Sequence, residues 1–583
     1  MINEKYVDHI GETILDPIVE VRRMAAYVLG QSRTSKAVPY LMQVFEHQDS
    51  LGIDPLTFRF ALEAVGKCAD SSFLPLLAGI STYRTHDTLL LEGQCLGILE
   101  LANLGYSHPL ATELMIRYAT NDTFPPSVQL IAANYLDRTR SVDLTSYHHE
   151  LISAYENQKD PEIRMFLAKA VGKSGNLAGP WIRQVMRREE DARVQVSLLQ
   201  GSTTLPLNVR HAIWASALRD PNERVATVAA DLIVKFGSSE YAETYLNWAF
   251  SNFTPTVYAN ILAAGNKFIT NARFHEMIEE LIIQRIRNTN DPYIKTDFIR
   301  AASQHGSTAL QLPNFDGDNE VMVVRTSILE ALADYVDRTG TAPSRIRDFL
   351  IDRWESGDAA ALSILSPLFA RHSTLFPTIA GDPTRWTQMS ESISMPQGIE
   401  AKIAVDQARE VLFDFTYDPR FYMNEMWHTH PIDWTLYNSL SAQPRAKIET
   451  TAGTLLVELF KEEAPGTVLN FIQLAESGYY ENRPLHRVVP NFVIQAGCNR
   501  GDGYGSLDHT IRSEVGPRTY HQSGLLGMAS AGLHTESQQW FVTLRPTLHL
   551  NGRYTIFGRM VEGAESAADI RRGDSIKSIK IVR

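Results

Sequence analysis

The sequence predicts a multidomain protein, with an all-α array of stacked helix pairs followed by a closed antiparallel β-barrel with capping helices. The chain has 583 residues, which is too many for one hydrophobic core. Helical patterns that begin in the same way recur through the first two thirds of the chain. From Pro444 the spacing of apolar residues changes from about 3.6 to about 2, the period of a strand with one buried face. The two regions therefore belong to different fold classes.

The composition excludes several classes of protein. Hydrophobic residues make up 44% and charged residues 21% of the chain, which are ordinary values for a folded protein. The 55 Lys and Arg against 67 Asp and Glu give a formal net charge of −12, which on average repels phosphate backbones. We therefore predict no nucleic acid partner. Cys68, Cys95 and Cys498 lie too far apart to form a disulfide framework.

The amino-terminal residues, MINEKYVDHI, lack the basic region and the apolar stretch of a secretory leader. No segment approaches the ~20 consecutive apolar residues that a membrane helix requires. We therefore expect a soluble protein without a membrane span, cytoplasmic as the sequence is given. The compartment stays open, because a protein of the cell envelope or periplasm would read the same after removal of a leader.

Asp-Pro pairs before apolar helical patterns mark the first region. They are Asp16-Pro17, Asp54-Pro55, Asp160-Pro161, Asp220-Pro221 and Asp291-Pro292. An Asp carboxylate accepts a hydrogen bond from a free N–H at a helix start, and Pro lacks the N–H that has no partner there. An Arg that follows such a pair is expected to bond the preceding acidic loop or a neighbouring helix. These residues are Arg22, Arg59, Arg164 and Arg224.

The length of the repeat is typical of stacked helix pairs. Neighbouring starts, including weaker copies without Asp-Pro, lie about 30 to 40 residues apart, and small residues stand where helices would approach closely. The pattern resembles the HEAT repeat, a pair of antiparallel helices that stacks into a solenoid. The resemblance implies roughly ten pairs over residues 1–390 and a long surface that binds a protein partner. Armadillo-type and other α-solenoids share the pattern, and an irregular helical domain is a further alternative.

Residues 391–443 are predicted to link the two regions, with an aromatic-rich stretch that seats one domain on the other. The stretch contains His428 and His430, and two histidines at this spacing could ligate a metal from a strand. No further ligands follow at a recognisable spacing, so we interpret both as structural and leave their role open. We predict no metal and no cofactor.

Residues 444–583 read as a small β domain. The segment Arg445–Phe460 alternates apolar and polar residues on both sides of Thr451-Ala452-Gly453, which predicts a β-hairpin. An amphipathic helix follows over Lys461–Tyr480, with Pro465 at its start and Gly478 at its end. Short β segments then alternate with Gly-rich turns. A closed barrel with a capping helix fits this pattern.

Four collinear blocks in this domain carry a family resemblance. They are APGTVLNF (464–471), LHRVVPNFVIQAG (485–497), GLLGMASAG (524–532), and QQWFVT (538–543) with LHLNGRYTIFG (548–558). In order and spacing they resemble the cyclophilin-type peptidyl-prolyl cis–trans isomerases. The resemblance implies a cyclophilin-like barrel over 444–583 and isomerisation of Xaa-Pro bonds in protein or peptide clients.

The chemistry explains the residue types in these blocks. Rotation about an Xaa-Pro bond sacrifices amide resonance and meets a barrier near ~20 kcal/mol. A donor aimed at the prolyl nitrogen stabilises the twisted bond more than the planar one, and an apolar pocket holds the ring while the bond turns. By resemblance, Arg487 is that donor. The reaction requires no nucleophile and no metal.

The resemblance assigns the other site residues as well. The implied catalytic group is Arg487, Phe492, Gln495 and Tyr554. The implied substrate-binding residues are Val493, Gly503, Ala529, Ser530, Ala531, Gln539, Phe541, His549 and Leu550. Among these, residues 529–531 correspond to the backbone that lines the groove for the client residues preceding the proline.

Several positions depart from the family pattern, and three of them concern the pocket and its rim. Val493 stands where the family often has Met, which makes the pocket floor smaller and stiffer. His549 stands where many members have Trp, at the rim. Tyr554 takes a position often held by His, and because its hydroxyl can still donate we expect a changed rate and the same reaction.

Two hypotheses of different class follow. The first is an enzyme, a proline isomerase that a helical array tethers to its protein clients. The alternative is a scaffold or chaperone that grips proline peptides with little or no turnover. Turnover of an Xaa-Pro peptide distinguishes them.

Overall fold

Helices occupy the amino-terminal part of the chain and strands begin at Arg445. The computed structural model describes residues 4–46, 54–418 and 430–582. The chain divides into two compact units. The first comprises Met1–Ile213 with the loops Pro517–Gln522 and Pro546–Gly552, and the second comprises Trp214–Gly516, Ser523–Arg545 and Arg553–Arg583.

The helices of the first unit are α1 (Val7–Gly11), α2 (Val19–Ser32), α3 (Val38–Glu46), α4 (Pro55–Cys68), α5 (Phe73–Ala78), α6 (Thr88–Asn103), α7 (Pro109–Thr120), α8 (Pro126–Arg138), α9 (His148–Asn157), α10 (Pro161–Gly172), α11 (Ala178–Met186) and α12 (Ala192–Gly201). Helix α13 (Leu207–Ala217) crosses the boundary between the units.

Alternate helices of the first unit form a continuous layer. Helices α2, α4, α6, α8, α10 and α12 pack against one another in chain order, and each intervening helix packs on this layer. Glycines allow the closest approaches. A Cβ atom at Gly66 of α4 would lie 2.2 Å from the carbonyl oxygen of Gly97 in α6. The alternation is that of stacked helix pairs, and their assignment to HEAT repeats stays a prediction.

The Asp-Pro pairs begin helices in two ways. Asp54, Asp160 and Asp291 are N-caps whose carboxylates accept hydrogen bonds from backbone N–H groups of the first turn. Asp16 and Asp220 instead accept from the N–H two residues later, at 2.8 Å in both cases, and their helices begin beyond that turn. The motif therefore marks helix starts to within two residues.

The helices of the second unit before the sheet are α14 (Glu223–Phe236), α15 (Ala242–Ala249), α16 (Pro255–Phe268), α17 (Ala272–Asn288), α18 (Pro292–Ala302), α19 (Gly306–Ala309), α20 (Met322–Thr339), α21 (Ser344–Glu355), α22 (Ala359–Arg371), α23 (Pro377–Ala380), α24 (Pro383–Ser392), α25 (Ile399–Leu412) and α26 (Trp434–Ser439). Helices α14, α16, α18, α20, α22 and α25 repeat the layer. Its core contains Trp354 and Trp386, whose ring centroids lie 4.8 Å apart.

An eight-stranded antiparallel sheet occupies the carboxy-terminal region, in the order β3-β4-β6-β5-β7-β2-β1-β8. The strands are β1 (Arg445–Thr450), β2 (Thr454–Leu459), β3 (Arg487–Val489), β4 (Val493–Ala496), β5 (Leu525–Met528), β6 (Trp540–Thr543), β7 (Ile556–Glu562) and β8 (Ile576–Val582). The predicted hairpin is β1 with β2. Helix α27 (Pro465–Glu476) begins at the predicted proline and buries Val468, Phe471 and Ile472 in the core of the sheet.

The sheet curls until its two edges meet. Residues 482–485, before β3, exchange backbone hydrogen bonds with residues 573–576, before β8. These bonds are Asn482 N to Ile576 O (2.7 Å), Ile576 N to Arg483 O (2.9 Å), Leu485 N to Asp574 O (2.6 Å) and Gly573 N to Leu485 O (3.1 Å). The predicted antiparallel barrel is thus present, with a second short helix, α28 (Ala564–Asp569), beside β2.

Among the described residues, no helix combines the length and the apolarity that crossing a bilayer requires.

Candidate active site

Three neighbouring strands present one row of predicted site residues. In the strand pairing Arg487 of β3 lies opposite Gln495 of β4, and Gln495 lies opposite Phe541 of β6. Directly opposed residues point to the same face of a sheet, and so do residues two apart in one strand. Val493 therefore shares this outer face, while the residues between these positions, Ile494, Ala496, Trp540 and Val542, fill the barrel core.

A chain of hydrogen bonds orients the guanidinium of Arg487. Arg487 Nη1 donates to Gln495 Oε1 at 3.4 Å, and Gln495 Nε2 donates to Gln539 Oε1 at 3.0 Å. Gln539 Nε2 in turn donates to the carbonyl oxygen of Gly503 at 2.9 Å. Each amide thus has its donor and acceptor ends assigned, which restricts the rotamers that Arg487 can adopt.

An apolar surface lies beside this chain. Val493 and Phe541 are buried, with exposed fractions of 2% and 5%. The guanidinium carbon of Arg487 lies 5.6 Å from the ring centroid of Phe492. Tyr554 meets Phe541 edge to face, with 5.9 Å between ring centroids. The arrangement places the guanidinium of Arg487 beside apolar side chains.

Burial shifts the pKa values of Arg487, at the start of β3, and of His486, the residue before it. Desolvation lowers the pKa of Arg487, and the nearby Tyr554 opposes this shift. Burial also lowers the pKa of His486 to about 4, so that ring is neutral at neutral pH. Arg487, which is exposed at the start of β3, therefore carries the positive charge at this point of the site.

The predicted groove residues line a small pocket next to this surface. It contains Gln495, Gly503, Gln539 and residues 529–531, together with Ile399 and Glu400 of α25. Ala529 N donates to the carbonyl oxygen of Gln539 at 2.9 Å, which joins the two sides of the pocket. The structure thus brings the groove residues together with the donor and the apolar surface.

His549 and Leu550 belong to the first unit. They lie in a short 3-10 turn, Leu548–Leu550, in which Leu550 N donates to Thr547 O at 2.8 Å. Leu550 is buried and His549 is half-buried. The roles that the resemblance implies for these two residues stay predictions.

Helices of the second unit hold the loop that carries Gly503. Arg500 pairs with Asp358, the N-cap of α22, at 2.6 Å, and Thr326 Oγ1 of α20 donates to Asp502 at 2.8 Å. Tyr293 Oη donates to the carbonyl oxygen of Gly501 at 2.7 Å. Sequence reasoning missed these contacts because no local pattern links residues so far apart in the chain.

A second loop of the barrel is held in the same way. Arg572 donates to Asp297 of α18 at 2.6 Å and to the carbonyl oxygen of Tyr293 at 2.8 Å. Arg224 of α14 donates to the carbonyl oxygens of Ala567 and Ile570, at 2.6 and 3.0 Å. Arg224 thus departs from the prediction that an Arg after Asp-Pro bonds its own helical neighbours, because its side chain reaches the barrel.

The other three such arginines follow that prediction. Arg22 Nη1 donates to the carbonyl oxygen of Asp16 at 2.7 Å. Arg59 pairs with Glu92 at 3.3 Å, and Arg164 pairs with Glu189 at 2.9 Å. The Arg22 bond lies within the turn before its own helix, whereas the Arg59 pair joins α4 to α6 and the Arg164 pair joins α10 to the segment after α11.

The histidines of the linker are described only in part. His428 lies outside the described residues. The ring of His430 stacks on that of His509 at a centroid distance of 4.4 Å, and His430 Nε2 lies 2.8 Å from Gln473 Oε1. These contacts tie His430 to the barrel.

Within the described ranges, one group of three side chains has metal-ligand chemistry, namely His275, Glu279 and His305. His275 Nδ1 lies 3.2 Å from the Glu279 carboxylate, one helical turn away. His305 accepts from Ser307 N at 3.4 Å and so caps a short helix. An ion pair and a helix cap account for this group, which shares no residue with the predicted site.

Comparisons with known proteins concern the barrel. The family model for cyclophilin type peptidyl-prolyl cis-trans isomerase/CLD matches residues 445–583. Peptidyl-prolyl cis-trans isomerase B of Bacillus subtilis is 44% identical over 126 residues, which are 21% of this chain and 87% of that protein. A peptidyl-prolyl cis-trans isomerase of Synechococcus elongatus is 39% identical over 140 residues, 24% of this chain and 96% of that protein.

Among solved structures, a cyclophilin type peptidyl-prolyl cis-trans isomerase of Cryptosporidium parvum matches with 31% sequence identity and a TM-score of 0.23. The match covers 24% of this chain and 98% of that one.

Proposed function

The chain belongs to the cyclophilin-type peptidyl-prolyl cis–trans isomerase family, and on this premise we propose that it isomerises Xaa-Pro bonds in protein clients with Arg487 as the catalytic donor. One observation carries the proposal. The hydrogen-bond chain through Gln495 and Gln539 aims Arg487 at the border of the apolar surface of Phe492, Val493 and Phe541. The side chains have the chemistry and the arrangement that rotation of a prolyl bond needs.

The mechanism follows from the electronic change in the amide. In the planar bond the nitrogen lone pair is delocalised into the carbonyl, and in the twisted bond it is localised on nitrogen. A hydrogen bond from Arg487 to that nitrogen is therefore stronger in the transition state than in the ground state, which is the condition for catalysis. The apolar surface holds the prolyl ring while the other side of the bond turns.

Gln495 and Tyr554 complete the catalytic group that we propose. Gln495 positions Arg487 and has its own amide within reach of the client backbone. Tyr554 packs edge to face on Phe541, and we propose that its hydroxyl donates at the edge of the pocket. Residues 529–531, Gly503 and Gln539 bind the client segment that precedes the proline.

The helical region has a separate proposed role. We propose that the array, residues 1–390, binds a protein partner or client, and that residues 391–443 connect it to the isomerase domain, residues 444–583. Tethering a client raises its local concentration at the active site without a new contact there.

Turnover of an Xaa-Pro peptide by the full chain tests the catalytic proposal. We expect Arg487→Ala to lower kcat/KM by roughly 10²- to 10³-fold, the cost of one preorganised donor in an active site. A protease-coupled assay or NMR exchange spectroscopy measures the rate. Arg445→Ala is the matched control, because Arg445 is an exposed arginine at the start of β1.

Two results would overturn the proposal. Either the full chain does not accelerate isomerisation over the uncatalysed rate, or Arg487→Ala turns over as fast as the Arg445→Ala control. The first result favours the alternative, a proline-peptide scaffold without turnover, and the second shows that Arg487 is not the catalytic donor.

A further inference from the structure

Acidic side chains from the helices of the second unit line one side of the candidate active site. The cleft that contains Arg487 and Gln495 has a volume of about 1070 Å³, and Glu330 of α20 and Glu400 of α25 also line it. Glu400 in addition lines the small pocket with residues 529–531. Glu400 is therefore next to both the donor and the groove for the client residues before the proline.

Four of the other acids that line this cleft have a cationic partner at contact distance. Their pairs are Asp297–Arg572 (2.6 Å), Glu223–Arg571 (2.7 Å), Asp231–Lys235 (2.8 Å) and Asp502–Arg500 (2.9 Å). These charges neutralise one another and hold the barrel loops on the helices. None of these four carboxylates therefore needs a further cation as a partner.

Glu330 and Glu400 differ from these acids. Glu330 accepts a hydrogen bond from the Tyr504 hydroxyl at 3.3 Å, and no described Lys or Arg forms an ion pair with it. Glu400 forms neither a hydrogen bond nor an ion pair with any residue that the structure describes. Burial raises the pKa of Glu400 to about 7, and the charge of Asp502 adds to the shift. Burial likewise raises the pKa of Glu330, although Arg300 and Arg572 act against the shift from a distance.

These observations indicate the chemical class of a client side chain that could pair with the two glutamates. The Glu400 carboxylate is half-buried and has no ion pair among the described residues, so it is less stable than one in bulk water, and a cation bound beside it restores that loss. Glu330 is exposed and adds a second negative charge beside Tyr504. The ammonium of Lys and the guanidinium of Arg supply such a cation in a protein client. An acidic or phosphorylated segment would meet repulsion at the same place.

We infer that Glu330 and Glu400 form an acidic subsite that binds a Lys or Arg side chain in the client segment preceding the proline. The inference rests on the proposed function, which gives the direction in which the client lies in the groove. The subsite is preorganised, because Arg500–Asp358, Thr326–Asp502 and the bond from Ser506 N to Gln397 O, at 3.2 Å, fix the barrel loop against the helices that carry both glutamates. Selection of basic clients is thus built from residues outside the barrel.

Three peptides that differ only at the second residue before the proline test the inference. That residue is Lys, norleucine or Glu, and norleucine has the length of Lys without its charge. We expect the full chain to turn over the Lys peptide with a kcat/KM about tenfold above that of the norleucine peptide, and the Glu peptide to be poorest. In the double variant Glu330→Gln with Glu400→Gln, the ratio between Lys and norleucine peptides falls to about one.

A matched control removes a carboxylate elsewhere. Glu391 is exposed at the end of α24, and we expect Glu391→Gln to keep both the turnover and the ratio of the unmodified chain. Glu400→Lys should reverse the order, so that the Glu peptide becomes better than the Lys peptide. The inference is overturned if the unmodified chain shows a ratio near one, or if the double variant keeps the preference.

Failure of the proposed function is a different result. A chain that turns over none of the peptides contradicts the catalytic proposal and leaves the subsite to be tested by affinity. Fluorescence anisotropy with the same labelled peptides gives the ratio of Kd values. Equal Kd values for the Lys and norleucine peptides would overturn the subsite, whether or not the chain is an enzyme.

Discussion

Arg487 shows how a single side chain depends on residues of other strands. Its own strand, β3, has three residues, and the partners that orient it lie on β4 and in the segment before β6. The motif in the sequence already contained Val493 and Gln495 two positions apart in one strand, so their common face was predictable. The distances between Gln495, Gln539 and Gly503 were not predictable, because they depend on the pairing of β4 with β6 and on the position of a loop.

A buried acid in the barrel makes the stability of the protein depend on pH. Glu536 is 1% exposed, and burial raises its pKa to about 7. The folded chain therefore keeps a proton that the unfolded chain loses near the ordinary glutamate pKa. Folding stability thus falls as pH rises from about 5 to about 8. We expect Glu536→Gln, which keeps an acceptor for the Ser513 hydroxyl, to reduce this fall in thermal unfolding experiments.

The comparison of two pH values is the control for this prediction. Glu400 has a similarly raised pKa, so part of the slope remains in the Glu536→Gln variant. If the difference in Tm between the variant and the unmodified chain is the same at pH about 5 and about 8, Glu536 does not hold the proton.

Caps and small residues determine the helical elements. The acid of an Asp-Pro pair satisfies N–H groups at a helix start, and glycines let successive layer helices touch backbone to backbone. Both features are local in the sequence, which is why helix starts could be predicted to within two residues. The family of the repeat could not be predicted in this way, because many α-solenoids share the same local features.

Gly66 offers a test of the helical layer. A methyl group there would overlap the backbone of Gly97, so we expect Gly66→Ala to destabilise the first unit by about 1–3 kcal/mol, the usual cost of overpacking. Ala is otherwise the better helix former by about 1 kcal/mol, so steric overlap must exceed that gain. Gly317→Ala is the control, since a Cβ atom there meets nothing within 4 Å. Thermal unfolding measures the stability of both variants. A Gly66→Ala chain as stable as the Gly317→Ala control would contradict close packing of Gly66 on Gly97.

At the scale of the whole second unit, helix starts and barrel loops form one surface. Near the amino-terminal ends of α14, α18, α20, α22 and α25 lie residues that contact the loops 500–506 and 567–573, and the contacts are largely charged or hydrogen-bonded. Asp358 serves both purposes, because its carboxylate caps α22 and binds Arg500. The active-site loop is therefore part of the helical structure as much as of the barrel.

Removing Arg500 should weaken this surface more than removing Asp358. Arg500→Ala leaves Asp502, whose side chain is 0% exposed, without its cation, and breaking such a pair costs about 3–5 kcal/mol. Asp358→Ala removes a partly exposed pair and a cap, for about 1–2 kcal/mol. Thermal unfolding measures the loss of stability in each variant. Equal losses, or a larger loss for Asp358→Ala, would contradict the predicted order.

The effect of Asp358 has a defined pH sign. Burial alone would raise its pKa, but the Arg500 guanidinium holds the pKa of Asp358 below its ordinary value. Its contribution to stability is therefore present above the pKa of an unfolded Asp and is lost as pH falls through the lower, folded value.

The sequence alone predicted the two fold classes, the helix starts, the barrel motifs and Arg487 as the proposed donor. These features depend on residues a few positions apart, where capping, periodicity and strand alternation act directly. The tertiary structure decided which helices hold the active-site loop and which acids line its groove. Asp358 and Arg500 are 142 positions apart and Tyr293 and Gly501 are 208 apart, and contacts over such distances arise only when the layer helices are stacked and the barrel is folded against them.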